Sequence, residues 1–208
     1  MNAYNEPSKI ITVEDKIKRS VFIADLKACH NEAEIKEFLS EIIAAHKNAT
    51  HHCRAYILIQ DLGGENNCVE YSSDDGEPSG TAGKPILAAI KHNNIFNVMV
   101  IVTRYFGGVK LGTRGLIDAY KGVAEKALSL CAPVVKFVTK NIKIQIKYNS
   151  LGLINKLFQA HNALNIKSDF AQNIFFSADV PLDDNDKNYL SLKSKLDELN
   201  SRGILNYV

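Results

Sequence analysis

The 208-residue chain has no tryptophan, two methionines and four cysteines, and its apolar runs are short. The cysteines are scattered without any CxxC pair, which argues against a zinc ribbon or a disulfide framework and indicates free thiols. The longest apolar stretches, such as 98–102, fall well short of the ~20 residues that a membrane-spanning helix needs. No apolar signal segment follows the first charged residues. We therefore expect a cytoplasmic protein that has no membrane partner, metal or cofactor.

The charge is small in total but uneven along the chain. The net charge is +2, with 46% hydrophobic and 23% charged residues, which is an ordinary globular composition. Residues 61–77 contain six acids and no base, whereas residues 84–126 contain seven bases and two acids. Residues 133–208 contain ten bases and seven acids, well short of a dedicated nucleic-acid binder. One region thus carries both an acidic and a basic segment.

Residues 1–132 are predicted to form an N-terminal α/β domain. Asn31 and Glu34 have the spacing of a capping box at the start of an amphipathic helix. The run 98–103 is apolar throughout and predicts a strand that is buried on both faces. Residues 15–19 and the pair Gly63-Gly64 are predicted as connections between strands. The predicted strands are 10–13, 21–26, 53–59, 68–71 and 98–103, and the predicted helices are 32–47, 84–92 and 116–130.

Residues 133–208 change to a strand-like period. Ile142, Ile144 and Ile146 alternate with polar residues, as in a half-buried strand. A helix from 151, strands at 164–170 and 174–180, a helix at 190–199 and a strand at 204–207 follow. This order is βαββαβ, which predicts a ferredoxin-like C-terminal domain.

The acidic segment 72–84 contains Asp74, Asp75 and Glu77 in four residues. These carboxylates suit a solvated turn that caps the next helix, a contact with a partner or ligand, or a cation and acid–base chemistry. Residues 80–84 lack the GxxxxGK[ST] spacing, and Pro85 stands where a phosphate-binding loop needs a hydroxyl, so a nucleotide-hydrolysing loop is excluded. Small residues before the helix still leave N–H groups that suit an anion.

The basic segment 104–115 lies between the buried strand and the last N-terminal helix. Its glycines allow a ligand to approach the backbone, and phosphate is the natural complement of its bases. Gly112 and Gly115 also have GxxG spacing, a weak signal for RNA backbone binding. Alternatively the segment is a tight turn in which Tyr105 and Phe106 fill the core. The candidate phosphate-binding residues are Lys84, Arg104, Gly107, Gly108, Lys110, Gly112 and Arg114.

The segment 51–54 begins a predicted strand, in which neighbouring side chains alternate between faces. His52 and Arg54 therefore share one face, and His51 and Cys53 share the other. A thiolate paired with His52 is geometrically poor, so a core thiol is the favoured interpretation of Cys53 and no catalytic residue is assigned. His52 can face the acidic segment, which makes it a pH-sensitive candidate. The candidate acidic or pH-sensitive contacts are His52, Asp74, Asp75 and Glu77.

Four motifs in this order resemble the YigZ/IMPACT family. They are His51-His52-Cys53, the stretch DDGEP at 74–78, GTAGKP at 80–85 and RYFGGVKLG at 104–112. Arg114 is a departure, since the bacterial YigZ type tends to have glycine there. The resemblance implies an α+β protein with an N-terminal domain like domain two of ribosomal protein S-five, including a left-handed βαβ crossover. It also implies a ferredoxin-like C-terminal domain, as in domains IV and V of the ribosomal translocase.

The family resemblance also implies a role in translation, because eukaryotic IMPACT proteins restrain a stress kinase through a protein partner. The leading hypothesis is a non-enzymatic binding protein that contacts RNA or a ribosome-associated factor. One alternative is an enzyme that acts on a phosphorylated or anionic substrate with Asp74, Asp75 and Glu77. Another is a regulator that binds only proteins. Whether segments 72–84 and 104–115 meet in one cleft decides whether they can act together.

Overall fold

The computed structural model describes residues 3–61 and 66–208 and contains two compact units. One is Tyr4–Lys136, and the other is Phe137–Val208 together with Ala3. The domain boundary expected from the sequence, between 132 and 133, lies just before this division. Within the described residues, no helix is both long and apolar enough to cross a membrane. The predicted Gly63-Gly64 turn lies outside the described residues.

The N-terminal unit is built on a five-stranded antiparallel sheet in the order β2-β3-β6-β4-β5. A short strand β1 pairs with β7 in a separate two-stranded sheet. The strands are β1 (Ala3–Glu6), β2 (Ile11–Ile17), β3 (Ser20–Ala28), β4 (His51–Asp61), β5 (Asn66–Ser73), β6 (Val98–Tyr105) and β7 (Val134–Phe137). The helices are α1 (Glu32–Ala45), α2 (Gly83–His92) and α3 (Gly112–Leu130).

Strand β6 is the central strand of the sheet, which lies between α1 on one face and α2 and α3 on the other. Val98, Val100 and Val102 belong to the core beneath α2 and α3, while Met99 and Ile101 belong to the core beneath α1. The predicted two-sided burial of this strand is confirmed, and it explains why the run is apolar without alternation. Strands β3 and β4 both pair antiparallel with β6, so they are parallel to each other and are joined through α1. The left hand of that connection stays a prediction.

Two predicted boundaries are wrong in ways that affect the site. Strand β2 continues through Ile17, so 15–17 are paired residues and the turn is confined to Lys18 and Arg19. The backbone makes this tight turn with Lys18 in the left-handed region, at φ 56°. Helix α3 begins at Gly112, four residues before the predicted 116, so the GxxG residues form its first turn. The predicted cap of α1 is confirmed, because Asn31 Oδ1 accepts from the Glu34 amide at 2.9 Å.

The C-terminal unit has the predicted ferredoxin-like order. Its antiparallel sheet runs β11-β8-β10-β9. The alternating residues Ile142, Ile144 and Ile146 pack in a core with residues from both helices, as the strand-like period predicts. The elements are β8 (Thr139–Ile146), α4 (Leu151–Ala160), β9 (Leu164–Phe170), β10 (Ile174–Pro181), α5 (Lys187–Ser201) and β11 (Leu205–Tyr207).

Candidate functional site

The acidic and basic segments meet in one cleft of the N-terminal unit. The cleft encloses a cavity of about 430 Å³. Its walls include Glu77 and Pro78 from the acidic segment, and Arg104, Phe106 and Lys110 from the basic one. The beginning of β4 and the first turn of α3 complete the walls. The geometric condition for a composite site is therefore met.

A buried ion pair forms part of the cleft wall. Arg104 is only 5% exposed, and its Nη1 donates to Glu77 Oε1 at 2.6 Å. The Tyr120 hydroxyl donates to the same oxygen at 2.8 Å, and Arg104 Nη2 donates to Ser20 Oγ at 3.2 Å. Both terminal nitrogens of the guanidinium thus donate within the protein. The Nε–H of Arg104 has no partner among the described residues.

The guanidinium of Arg104 also lies between two aromatic rings. Its central carbon is 5.4 Å from the ring centroid of Phe22 and 5.2 Å from that of Phe106. Phe22 is fully buried, but Phe106 is 46% exposed and lines the cavity. Phe106 is therefore not the core residue that the tight-turn alternative requires. Sequence reasoning did not choose it as a site residue, although an aromatic ring beside a glycine turn and bases is a usable signal.

Asp74 caps helix α2 from outside the helix. Its Oδ1 accepts from the amides of Ala82 and Gly83 at 3.0 and 2.8 Å, and its Oδ2 accepts from Gly80 at 2.8 Å. Partial burial raises the pKa of Asp74, but these hydrogen bonds and Lys84 outweigh it, so the pKa lies below its ordinary value. The prediction that these amides await an external anion is wrong, because an internal carboxylate occupies them.

The three carboxylates of the acidic segment have separate environments. Glu77 faces Arg104 inside the cleft, and Asp74 faces the α2 amides. Asp75 Oδ2 accepts from the His52 amide at 2.7 Å, and its Oδ1 lies 3.5 Å from Arg54 Nη1. They do not converge on one point, as a cation site or an acid–base pair of the enzymatic alternative requires. Across residues 3–61 and 66–208, no group of three His, Cys, Asp or Glu residues is placed to hold a metal.

His51, rather than His52, lines the cleft. The Nδ1 of His51 donates to the Asp75 carbonyl at 2.8 Å, and its Nε2 is 3.9 Å from Glu77 Oε1. His52 lies on the opposite face of β4, where burial lowers its pKa despite the nearby Asp75 carboxylate. Strand alternation alone separates the two histidines. The register that pairs His51 with Arg104 in β6 decides which one reaches the cleft.

Cys53 is a core thiol, as the favoured interpretation predicts. It is fully buried, and its Sγ donates to the Asp74 carbonyl at 2.9 Å. Burial raises the pKa of this thiol to about 12, so the thiolate that nucleophilic catalysis needs is not formed near neutral pH.

The glycines of the basic segment meet different structural requirements. A Cβ on Gly107 would lie 1.8 Å from the Arg19 carbonyl oxygen, so its absence allows two backbone segments to pack. Gly108 and Gly112 have φ values of +82° and +73°, in the region that favours glycine, and a Cβ there would meet no neighbour within 4 Å. The first turn of α3 is therefore approachable, whereas Gly107 is enclosed by protein.

Among the residues that the structure describes, no side chain caps the N-terminus of α3. Leu111 makes no side-chain cap, and the first turn contains no acidic residue. Gly112 and Thr113 of that turn line the cavity, and the exposed Lys110 precedes them with no ion pair to any described residue. Unsatisfied N–H groups and the helix dipole favour an anion here.

Two candidate bases do not line the cavity. Arg114 is 87% exposed at its side chain and pairs with Asp118 at 3.1 Å along the helix surface. Lys84 lies on the exposed face of α2, beside the end that Asp74 already caps. Neither residue contributes to the cleft wall. The candidate site is therefore Arg104, Phe106, Lys110 and the first turn of α3.

Comparison with known proteins agrees with these motifs. The model of the Impact N-terminal domain matches residues 18–128. A Bacillus subtilis (strain 168) protein named "IMPACT family member YvyE" is 36% identical over 79% of this chain and 73% of its own length. "IMPACT family member YigZ" of Escherichia coli (strain K12) is 32% identical over 87% of each chain. A solved structure, "Crystal structure of an hypothetical protein", aligns at 31% identity with a TM-score of 0.67, covering 100% of this chain and 97% of that one. The chain therefore belongs to the IMPACT family.

Proposed function

We propose that this chain is a non-enzymatic binding protein with a role in translation, and that its cleft binds a phosphate-bearing segment of single-stranded RNA. The observation that carries the proposal is the uncapped N-terminus of α3, whose first turn lines a cavity beside Lys110. A phosphate placed there accepts from backbone amides and from an ammonium group that has no ion pair to any described residue.

The cavity also suits the base of the same nucleotide. Phe106 offers an exposed ring face at the wall, and aromatic stacking of bases contributes about 1–3 kcal/mol per base in single-strand binders. The volume of about 430 Å³ falls within the roughly 300–1,000 Å³ of small-ligand sites. A helix amide site and a stacking ring in one cavity favour a nucleotide over an inorganic anion alone.

The family relationship supports the translation context. Relatives of this chain bear the IMPACT name, and the resemblance links eukaryotic IMPACT proteins with translational control. Fold and family analogy do not identify a ligand, so the assignment to RNA rests on the cleft. The separate environments of Asp74, Asp75 and Glu77 favour binding over the enzymatic alternative.

A titration with labelled single-stranded RNA tests the proposal. We expect Lys110→Gln to weaken binding and to lower the slope of log affinity against log salt by about 0.7, the value of one phosphate contact on a single strand. Lys84→Gln is the matched control. It removes a lysine at the other helix start, which Asp74 already caps, and we expect no change. Charge reversal of Arg104 is not a suitable test, because it breaks a buried ion pair.

Amide NMR shifts on titration with uridine monophosphate locate the phosphate. We expect the largest changes at Gly112 and Thr113 and little change at Gly83. Equal effects of the two lysine variants, or the largest shifts at Gly83, contradict the proposal. If pull-down of a partner survives nuclease treatment while RNA does not bind the pure chain, the protein-binding alternative holds instead.

A further inference from the structure

The C-terminal sheet has one face that its own helices do not cover. In β10 the residues Ile174, Phe176 and Ala178 are buried in the core with α4 and α5, so the alternate residues lie on the opposite face. Phe175 is 39% exposed on that face, in one of the two central strands. Packing in the core does not explain why a large aromatic ring is exposed in the middle of this sheet.

The residues paired with Phe175 across the sheet are polar. Gln145 of β8 is its directly paired neighbour on one side, and Asp169 of β9 is its neighbour on the other. The next row across the sheet is Lys143, Ser177 and Lys167, since both lysines pair with the same serine. A depression of about 250 Å³ lies between these two rows.

The two lysines supply charge for an anionic ligand. With strands about 4.8 Å apart, Lys143 and Lys167 lie on the order of 10 Å from each other, on either side of the central strand. Neither makes an ion pair with any side chain that the structure describes. Asp179, further along β10, accepts from Asn141 and Asn165 at 2.7 and 2.9 Å. Asp169 offsets part of the positive charge, so stacking rather than charge must supply most of the affinity.

We propose that this open face, defined by Phe175, Lys143 and Lys167, binds single-stranded nucleic acid. One base stacks on Phe175, and the two lysines contact backbone phosphates on either side. Numbered along the unit, the four strands of this sheet lie in the order 4-1-3-2. Some RNA-binding domains stack bases on aromatic side chains of a four-stranded sheet in the same way. The inference stands apart from the cleft, because it uses another unit of the chain and none of the cleft residues.

Fluorescence anisotropy of the full chain with labelled single-stranded oligouridine of about ten nucleotides tests this inference. We expect Phe175→Ala to weaken binding by about five-fold or more and Phe175→Trp to retain it, since the indole ring also stacks. Lys143→Gln and Lys167→Gln should each lower the salt slope by about 0.7.

Phe170→Ala is the matched control. Phe170 is 57% exposed but pairs with the inward-facing Ile174 at the sheet edge, so its loss should leave binding within two-fold of wild type. The inference is overturned if Phe175→Ala and Phe170→Ala have equal effects, or if a duplex of the same length binds as well as the single strand. Loss of binding with Lys110→Gln but not with Phe175→Ala supports the cleft and rejects the sheet. The reverse pattern supports the sheet and rejects the cleft.

Discussion

Glu77 and Arg104 carry opposite charges in a part of the protein where water has little access. Their side chains are 4% and 6% exposed, and the Tyr120 hydroxyl donates to the same carboxylate oxygen as Arg104 does. Burial raises the pKa of Tyr120 above its ordinary value, so its hydroxyl stays a donor at any physiological pH. The pair fixes the acidic segment to β6 and so sets the width of the cleft.

Removing the charge of one partner in this ion pair should destabilise the protein. We expect Glu77→Gln to lower the free energy of unfolding by about 3 kcal/mol or more, because the guanidinium stays buried without its counter-charge. Glu70→Gln is the control. It removes the acid of an exposed pair with Lys91, at 2.8 Å, for which about 0–1 kcal/mol is expected. Urea unfolding measures the free energy of unfolding of both variants. Equal losses would show that breaking the buried pair costs no more than breaking the exposed one.

Sequence reasoning at the level of single residues found the right segments but not every role. The sequence predicts Arg104 as a phosphate ligand and Glu77 as an acidic contact, whereas the structure joins them to each other. Their pairing links positions 27 residues apart and depends on how β6 lies against the acidic segment. Periodicity describes neighbours along one element and contains no information about such contacts.

At the scale of elements, the turn between β6 and α3 depends on close backbone packing. We expect Gly107→Ala to destabilise the protein by about 2 kcal/mol or more, because the new methyl group would overlap the Arg19 backbone, which cannot rotate away. Gly122→Ala, in the interior of α3, should instead stabilise by about 0.5–1 kcal/mol, since a Cβ there meets nothing within 4 Å. Thermal unfolding tests this, because Gly107→Ala should lower the Tm and Gly122→Ala should raise it. A change of Tm in the same direction for both variants would contradict the prediction.

The predicted helices and strands agree with the structure where a local pattern of residues is enough to predict the element. The apolar run of β6, the cap of α1 at Asn31 and the alternation in β8 are all local signals. The predicted start of α3 is too late because glycine is a poor helix former, and the first turn of the helix contains Gly112 and Gly115. The sequence predicts that the acidic segment caps α2 but does not say which carboxylate does so, since Asp74 lies nine positions before Gly83.

At the scale of the whole molecule, the net charge of +2 gives little long-range attraction for nucleic acid. If Lys110 contacts one phosphate at the cleft, log affinity there should fall with log salt at a slope of about −0.7, and if Lys143 and Lys167 each contact one phosphate, the slope at the sheet should be about −1.4. Anisotropy titrations across a range of salt concentrations measure this slope. A slope clearly steeper than about −2 requires more phosphate contacts than the two proposed surfaces supply together.

The starts of helices α2 and α3 in the N-terminal unit differ in one respect that affects any solution experiment. Asp74 is a tethered ligand of α2, and tethering gives it an effective concentration that a dissolved anion rarely matches. Buffer phosphate or sulfate should therefore compete at α3 and not at α2. An anion that binds to this unit then follows a one-site isotherm, and common buffer anions become competitive inhibitors of the cleft.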